Sequence, residues 1–167
     1  MAHKKLIRFE AIKSFPNVFE LPQNMEEQWT VFFKNQHPLV LELACGKGEY
    51  TIGLARLYPQ KNYIGVDIKG NRIWRGALTA IEENLPNVAF LRTPIEGIHQ
   101  YFTPHTVEAI WITFPDPQLR LSKAKKKINP STIFTVIPTS ITTQWHCTFK
   151  NRQSGSVLFH QSCYQLI

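Results

Sequence analysis

The sequence predicts an α/β fold, a mostly parallel sheet with helices on both faces. Three observations point there. Between residues 38 and 127, apolar runs of strand length alternate with stretches of helical periodicity. A glycine loop, ACGKG, separates the first run from the first helix. An acid, Asp67, closes the second run.

The elements follow in order. Residues 1–37 form an N-terminal lead-in, and its opening MAHKKLIRFEAIK carries charges where an export signal needs an apolar centre. No apolar run approaches the about 18 residues of a membrane span. A cytoplasmic chain with no membrane partner is expected, and a monomer is the default. LVLEL then reads as a buried strand, followed after the glycines by a helix with Tyr50, Leu54, Leu57 and Tyr58 on one face, ended by Pro59. NYIGVDI is the second strand. The next helix carries an apolar stripe of Ile73, Trp74, Ala77, Leu78, Ile81 and Leu85 and stops before Pro86. VAFLRT and AIWITF are strands three and four, joined by a short helical piece, PIEGIHQYF. Trp74 and Trp111 are expected in the core.

Composition limits the function classes. The chain has 167 residues, 43% of them apolar, enough for one domain with a real core. Three cysteines without CxxC spacing argue against a disulfide framework. Cys45 in the glycine loop has no histidine near it in sequence and reads as packing rather than a nucleophile. His146, Cys147, His160 and Cys163 match no usual zinc spacing, so no metal is expected. The formal charge is +7. Up to Asp116 the chain holds 12 acidic and 12 basic residues, and from Pro117 onward 7 basic residues and no acid. Such asymmetry suits a polyanion such as nucleic acid, and equally a solvated face.

In open α/β sheets the ligand sits at the carboxyl ends of the strands. There, Gly46 and Gly48 let a ligand approach the backbone, and Glu42 supplies a carboxylate. Asp67 follows Gly48 by 19 residues, suitably placed for ribose hydroxyls. NAD is one nucleoside-containing candidate. Against it, Thr51 stands where the third glycine of G-x-G-x-x-G belongs, and Glu42 and Glu49 would repel a pyrophosphate. S-adenosylmethionine fits better, because its ammonium and sulfonium are cationic. A plain tight turn, with Asp67 capping the next helix, is the bland alternative.

Taken together, LELACGKGEYTIGLA, YIGVDIKGNRIWRGA and ITFPDPQLRLSKAKKK resemble the bacterial tRNA (guanine-N7-)-methyltransferase family over roughly residues 5–127, lead-in included. The resemblance implies a Rossmann-like class I methyltransferase fold over 38–127, S-adenosylmethionine as donor and a guanine in the tRNA variable loop as acceptor. By position it implies Glu42 and Asp67 as cofactor ligands, Asp116 as the catalytic-site acid and Arg120 as a substrate contact. Thr93 stands where the family often has an acid or amide near the adenine, and Glu96 is the candidate to replace it.

The chemistry agrees. Guanine N7 has an in-plane lone pair and needs no deprotonation before it attacks a methyl sulfonium; it needs alignment, exclusion of water and an acceptor for the developing charge. Asp116, held between two prolines, is suited to take hydrogen bonds from the base edge. Arg120, Lys123, Lys125, Lys126 and Lys127 would hold phosphates.

Residues 128–167 change character. They contain no Asp, Glu or Ala, and Lys150 and Arg152 are their charges. The family continues with a fifth strand, a second aspartate and a terminal T-x-x-E; without acids, neither of those substrate contacts is present. This tail is expected to be aberrant or truncated, as a shifted reading frame would produce, leaving a sheet without its last strands. TIFTVIPTSITT, of high β-propensity, either pairs with strand four or stays unstructured. A truncated homologue that binds cofactor or RNA without turnover is the alternative function, and an NAD-binding oxidoreductase a distant one.

Overall fold

The computed structural model describes residues 2–103, 106–112, 144–146, 149–150 and 157–158. Helix α1 spans Ala2–Ala11, strand β1 Val18–Glu20 and the short helix α2 Trp29–Phe33. Then come β2 (Leu39–Leu43), α3 (Glu49–Leu57), β3 (Asn62–Asp67), α4 (Gly70–Glu82), β4 (Val88–Arg92), a 3₁₀ segment (Ile95–Tyr101) and β5 (Val107–Ile112). Gln144–His146 forms β6; Phe149–Lys150 and Val157–Leu158, β7 and β8, make a separate antiparallel ribbon.

The sheet runs β1-β4-β3-β2-β5-β6 with every pairing parallel. From β2 the chain steps outward to β3 and β4, then crosses back to lay β5 on the other side of β2. That reversal opens a crevice at the carboxyl ends of β2 and β5, with β3 beside it. The four strand runs lie where their patterns place them. β1 is an addition, since the lead-in contributes an edge strand pairing Val18 with Phe90. On the opposite side the sheet continues through Gln144–His146, just beyond the TIFTVIPTSITT stretch, which lies outside the described residues.

Strand alternation sends side chains into two cores. On one side Leu39, Leu41, Leu43, Ile64, Val66, Ala89 and Leu91 pack with Trp29, Phe33, Ile98 and Tyr101. Trp29 donates its indole N–H to the Tyr101 carbonyl at 2.7 Å, joining α2 to the 3₁₀ segment. On the other side Val40, Tyr63, Val88 and Phe90 meet Ile52 and Ala55 of α3 and Ile73, Ala77 and Ala80 of α4.

The helices turn differently from their apolar stripes. In α3 the buried residues are Thr51, Ile52 and Ala55, while Leu57 is 70% exposed and Tyr58 46%. The physical reason is small size: the helix lies close to the sheet, and the short side chains fit the gap. α4 likewise buries Gly70, Gly76 and Ala80 beside Ile73 and Ala77, and leaves Ile81 exposed. Trp74 is half-buried on the α1 side, where the Arg8 guanidinium lies 4.6 Å from its ring centroid. Trp111 is half-buried as well.

Phe90 sets the spacing of these layers. A Cβ built on Gly48, Gly65 or Gly76 would stand 2.5 to 2.7 Å from the Phe90 ring, and one on Gly76 would also meet the Lys47 carbonyl at 2.5 Å. Three glycines therefore let the loop, β3 and α4 close around one aromatic ring. At the carboxyl end of β4, Arg92 ties the lead-in to the core. It donates to the Ile68 carbonyl at 3.2 Å and to Glu20 at 2.8 Å, with its guanidinium 4.6 Å from the Phe9 ring centroid.

Gly76→Ala should destabilise the fold by about 1 to 3 kcal/mol through overpacking, although alanine is the better helix former. Chemical denaturation reads this directly, and a stabilised variant would contradict the close approach. Arg92→Met should lose about 1 to 3 kcal/mol, because a carbonyl and a partly buried carboxylate lose their donor together. An unchanged melting curve would show that the cluster contributes nothing.

Candidate cofactor site

β2 ends in a buried carboxylate. All five of its residues are buried, and Glu42 is 4% exposed. An acid there requires hydrogen bonds, since a bare charge in an apolar layer is very costly. Thr51 supplies two. Its backbone N–H donates to Glu42 Oε2 at 2.8 Å and its hydroxyl to the same oxygen at 2.5 Å. Thr51 is the third residue of α3, so Glu42 also accepts an otherwise unpaired donor of the helix's first turn.

Gly65 makes this contact possible. Its register neighbours are Glu42 on one side and Phe90 on the other. A Cβ there would stand 3.0 Å from Thr51 Oγ1 as well as against the Phe90 ring. Glycine in a strand interior is otherwise unfavourable.

The loop between β2 and α3 alternates into left-handed backbone. Ala44, Gly46 and Gly48 have φ of +57°, +59° and +70°. Glycine takes such values freely; Ala44 is held there by the surrounding bonds. The Cys45 amide donates to the Val66 carbonyl at 3.0 Å and the Gly48 amide to the Cys45 carbonyl at 2.8 Å.

Asp67 completes the loop's anchoring. Its Oδ2 accepts from the Gly46 amide at 2.9 Å and its Oδ1 from the Lys69 amide at 2.9 Å. One carboxylate thus joins the glycine loop to the turn that opens α4. An ionised carboxylate has about four lone-pair sites, so two amide bonds leave acceptor capacity for further donors.

Cys45 is buried within the electrostatic reach of both acids. Burial pushes its thiol well above the ordinary range, and Coulombic repulsion from Glu42 and Asp67 pushes it further. The thiol is therefore neutral packing, and the two carboxylates make the potential at Cys45 negative. Beside it, Gly46 faces open space, with no atom within 4 Å of where a Cβ would stand.

The structure thus brings Glu42, Gly46, Gly48 and Asp67 into one bonded unit at the crevice. Thr93 and Glu96 follow β4, whose Arg92 is in register with Asp67. Thr93 is buried, and its hydroxyl donates to the Tyr101 hydroxyl at 3.1 Å; Glu96 is exposed. Asp116, Arg120, Lys123, Lys125, Lys126 and Lys127 lie outside the described residues. Sequence patterning overlooked Thr51, Gly65 and Arg92 as parts of the site. A glycine inside an otherwise β-branched and aromatic strand was the signal for Gly65.

Comparison with known proteins bears on this arrangement. A family model described as a putative methyltransferase matches residues 36–144. A tRNA (guanine-N(7)-)-methyltransferase of Christiangramia forsetii is 54% identical over 133 residues, 74% of this chain and 59% of that protein. The enzyme of the same name from Bacteroides thetaiotaomicron is 48% identical over 143 residues, 80% of this chain and 56% of that protein. That of Pediococcus pentosaceus is 30% identical over 158 residues, 94% of this chain and 74% of that protein. The chain thus spans little more than half the length of the first two. Among solved structures, an antibiotic-related methyltransferase superposes with a TM-score of 0.55 at 19% identity, over 74% of this chain and 64% of that one. A putative rRNA methylase from Clostridium thermocellum gives 0.52 at 18% identity, over 71% and 66%. These two share the Rossmann-like fold of this chain. The match to the family model and the sequence relatives show that the chain belongs to the tRNA (guanine-N(7)-)-methyltransferase family.

Proposed function

We propose that the chain binds S-adenosylmethionine in the crevice at the ends of β2 and β3 and transfers its methyl group to N7 of a guanine in tRNA. The single observation that carries the first half is the double anchoring of the glycine loop by Glu42 and Asp67. It occupies the amides of Gly46 and Thr51, while those of Cys45 and Gly48 donate to the Val66 and Cys45 carbonyls. A phosphate cradle needs such amides pointing at the ligand, so a dinucleotide is poorly served here. A ligand with a cationic end is well served, because both acids contribute to the field at the loop. The residues therefore fit the methyl donor and disfavour NAD.

Asp67 would accept hydrogen bonds from the ribose hydroxyls through its remaining lone pairs. Glu42 would face the cationic amino-acid end. When bound, the donor supplies an electrophilic methyl on a sulfonium. The chain's own part is to align the base and shut out water. Asp116 would hold the guanine edge and offset the charge that develops on the ring, and Arg120 with Lys123, Lys125, Lys126 and Lys127 would grip the tRNA backbone. That the relatives are tRNA (guanine-N(7)-)-methyltransferases supports tRNA as the substrate. The site of action is then the cytoplasm, and no helix among the described residues is long and apolar enough to cross a membrane.

A second reading rests on residues 128–167, which hold no acid and so lack the second aspartate and the terminal T-x-x-E that the family resemblance implies for the substrate; cofactor binding without turnover is then the competing outcome.

Calorimetric titration should show S-adenosylmethionine and its demethylated product binding at one site and NAD not binding. Asp67→Asn should weaken the methyl donor by about tenfold or more, since a hydrogen bond to a charged acceptor contributes about 1.5 to 3 kcal/mol. NAD binding alone would overturn the assignment. Methyl incorporation into tRNA should fall by about a hundredfold or more in Asp116→Asn. Tight cofactor binding with no incorporation by the wild type would favour the second reading.

A further inference from the structure

We infer that Thr51 is a positioning residue for methyl-donor recognition: its hydroxyl fixes the Glu42 carboxylate in the orientation that receives the cationic amino-acid end of the ligand. This rests on the cofactor reading above and deepens it.

Two features argue that the contact is built for more than capping a helix. Both Thr51 donors converge on one oxygen, Oε2, which sets the rotation of the carboxylate and with it the direction of Oε1. A backbone amide alone would satisfy the helix end. The second donor therefore adds orientation, and it is a buried one: Thr51 is 1% exposed.

The surroundings accommodate this pair at some cost to the strand. Gly65 removes the side chain that would otherwise stand 3.0 Å from Thr51 Oγ1. Gly48 starts the helix in left-handed backbone at φ +70°, which brings the third residue of α3 down over β2. An apolar residue in place of Glu42 would fill the layer without either device. On the cofactor reading Glu42 is the acid that meets the ligand, and Thr51 is one of the groups that hold it, through two bonds to the same oxygen.

The test separates the two ends of the ligand. S-adenosylhomocysteine carries the amino-acid end on a neutral thioether; 5′-methylthioadenosine keeps the adenosine and a neutral thioether and lacks that end. Thr51→Val removes the hydroxyl and leaves the backbone donor. Calorimetry should show S-adenosylhomocysteine weakened about tenfold in T51V, 5′-methylthioadenosine changed by less than about twofold, and Thr51→Ser restoring the first. If T51V does not stay folded, Thr51→Cys provides a weaker donor in nearly the same space and should show the same selectivity at smaller size. Equal weakening of both ligands, or of neither, in a folded variant would overturn the inference and leave Thr51 as a helix cap. Wild-type protein that binds 5′-methylthioadenosine but discriminates nothing at the amino-acid end would overturn the inference while sparing the nucleoside site. Binding of neither ligand by the wild type would overturn the cofactor reading and this inference with it.

Discussion

A carboxylate buried in the middle of a sheet must be hydrogen-bonded or the sheet will not form around it. Glu42 is in that position, and much of the carboxyl end of the sheet is arranged to satisfy it. Thr51 reaches it because α3 begins at Gly48, and α3 sits low because Gly65 and Gly76 leave room around Phe90. The same close packing dictates the short buried residues of α3 and α4, where longer side chains would hold the helices away from the strands. One requirement at one residue thus propagates through a loop, two helices and three strands.

Asp67 extends the constraint sideways. It binds the glycine loop through Gly46 and the α4 turn through Lys69, and Arg92 fastens the neighbouring Ile68 carbonyl to Glu20 and the Phe9 ring. The lead-in is therefore fastened to the turn that follows β3. At the rim the amides of Gly46 and Thr51 are taken by the two carboxylates, and those of Cys45 and Gly48 by backbone carbonyls. On the proposed reading this arrangement favours a cationic ligand over a phosphate.

The sheet was legible in the sequence because LVLEL, NYIGVDI, VAFLRT and AIWITF are short, apolar and bounded by breakers. Glu42, Gly46, Gly48 and Asp67 stood out in the sequence as candidates because they lie at strand ends or in the loop after β2, where ligands of such sheets bind. The orientation of α3 was not, since hydrophobicity favoured Tyr50, Leu54 and Leu57 while the close approach to Phe90 favoured Thr51, Ile52 and Ala55. Steric fit overrode the apolar pattern. β1 was missed because three residues are too few for a periodicity, and its pairing with β4 is a long-range contact no local window contains. Thr51 was noticed for the glycine it replaces; its role depends on Glu42, nine residues earlier, and emerges once the helix has folded over the strand.

The central claim is that two acids at the tips of β2 and β3 form the receptor for a sulfur nucleoside. A crystal structure of the chain with S-adenosylhomocysteine tests it most directly. The account predicts ribose hydroxyls within about 3 Å of the Asp67 carboxylate and the ligand's amino group on the Glu42 side of the loop. A nucleoside seated away from these strand tips, with both carboxylates more than about 4 Å from any ligand donor, would contradict it.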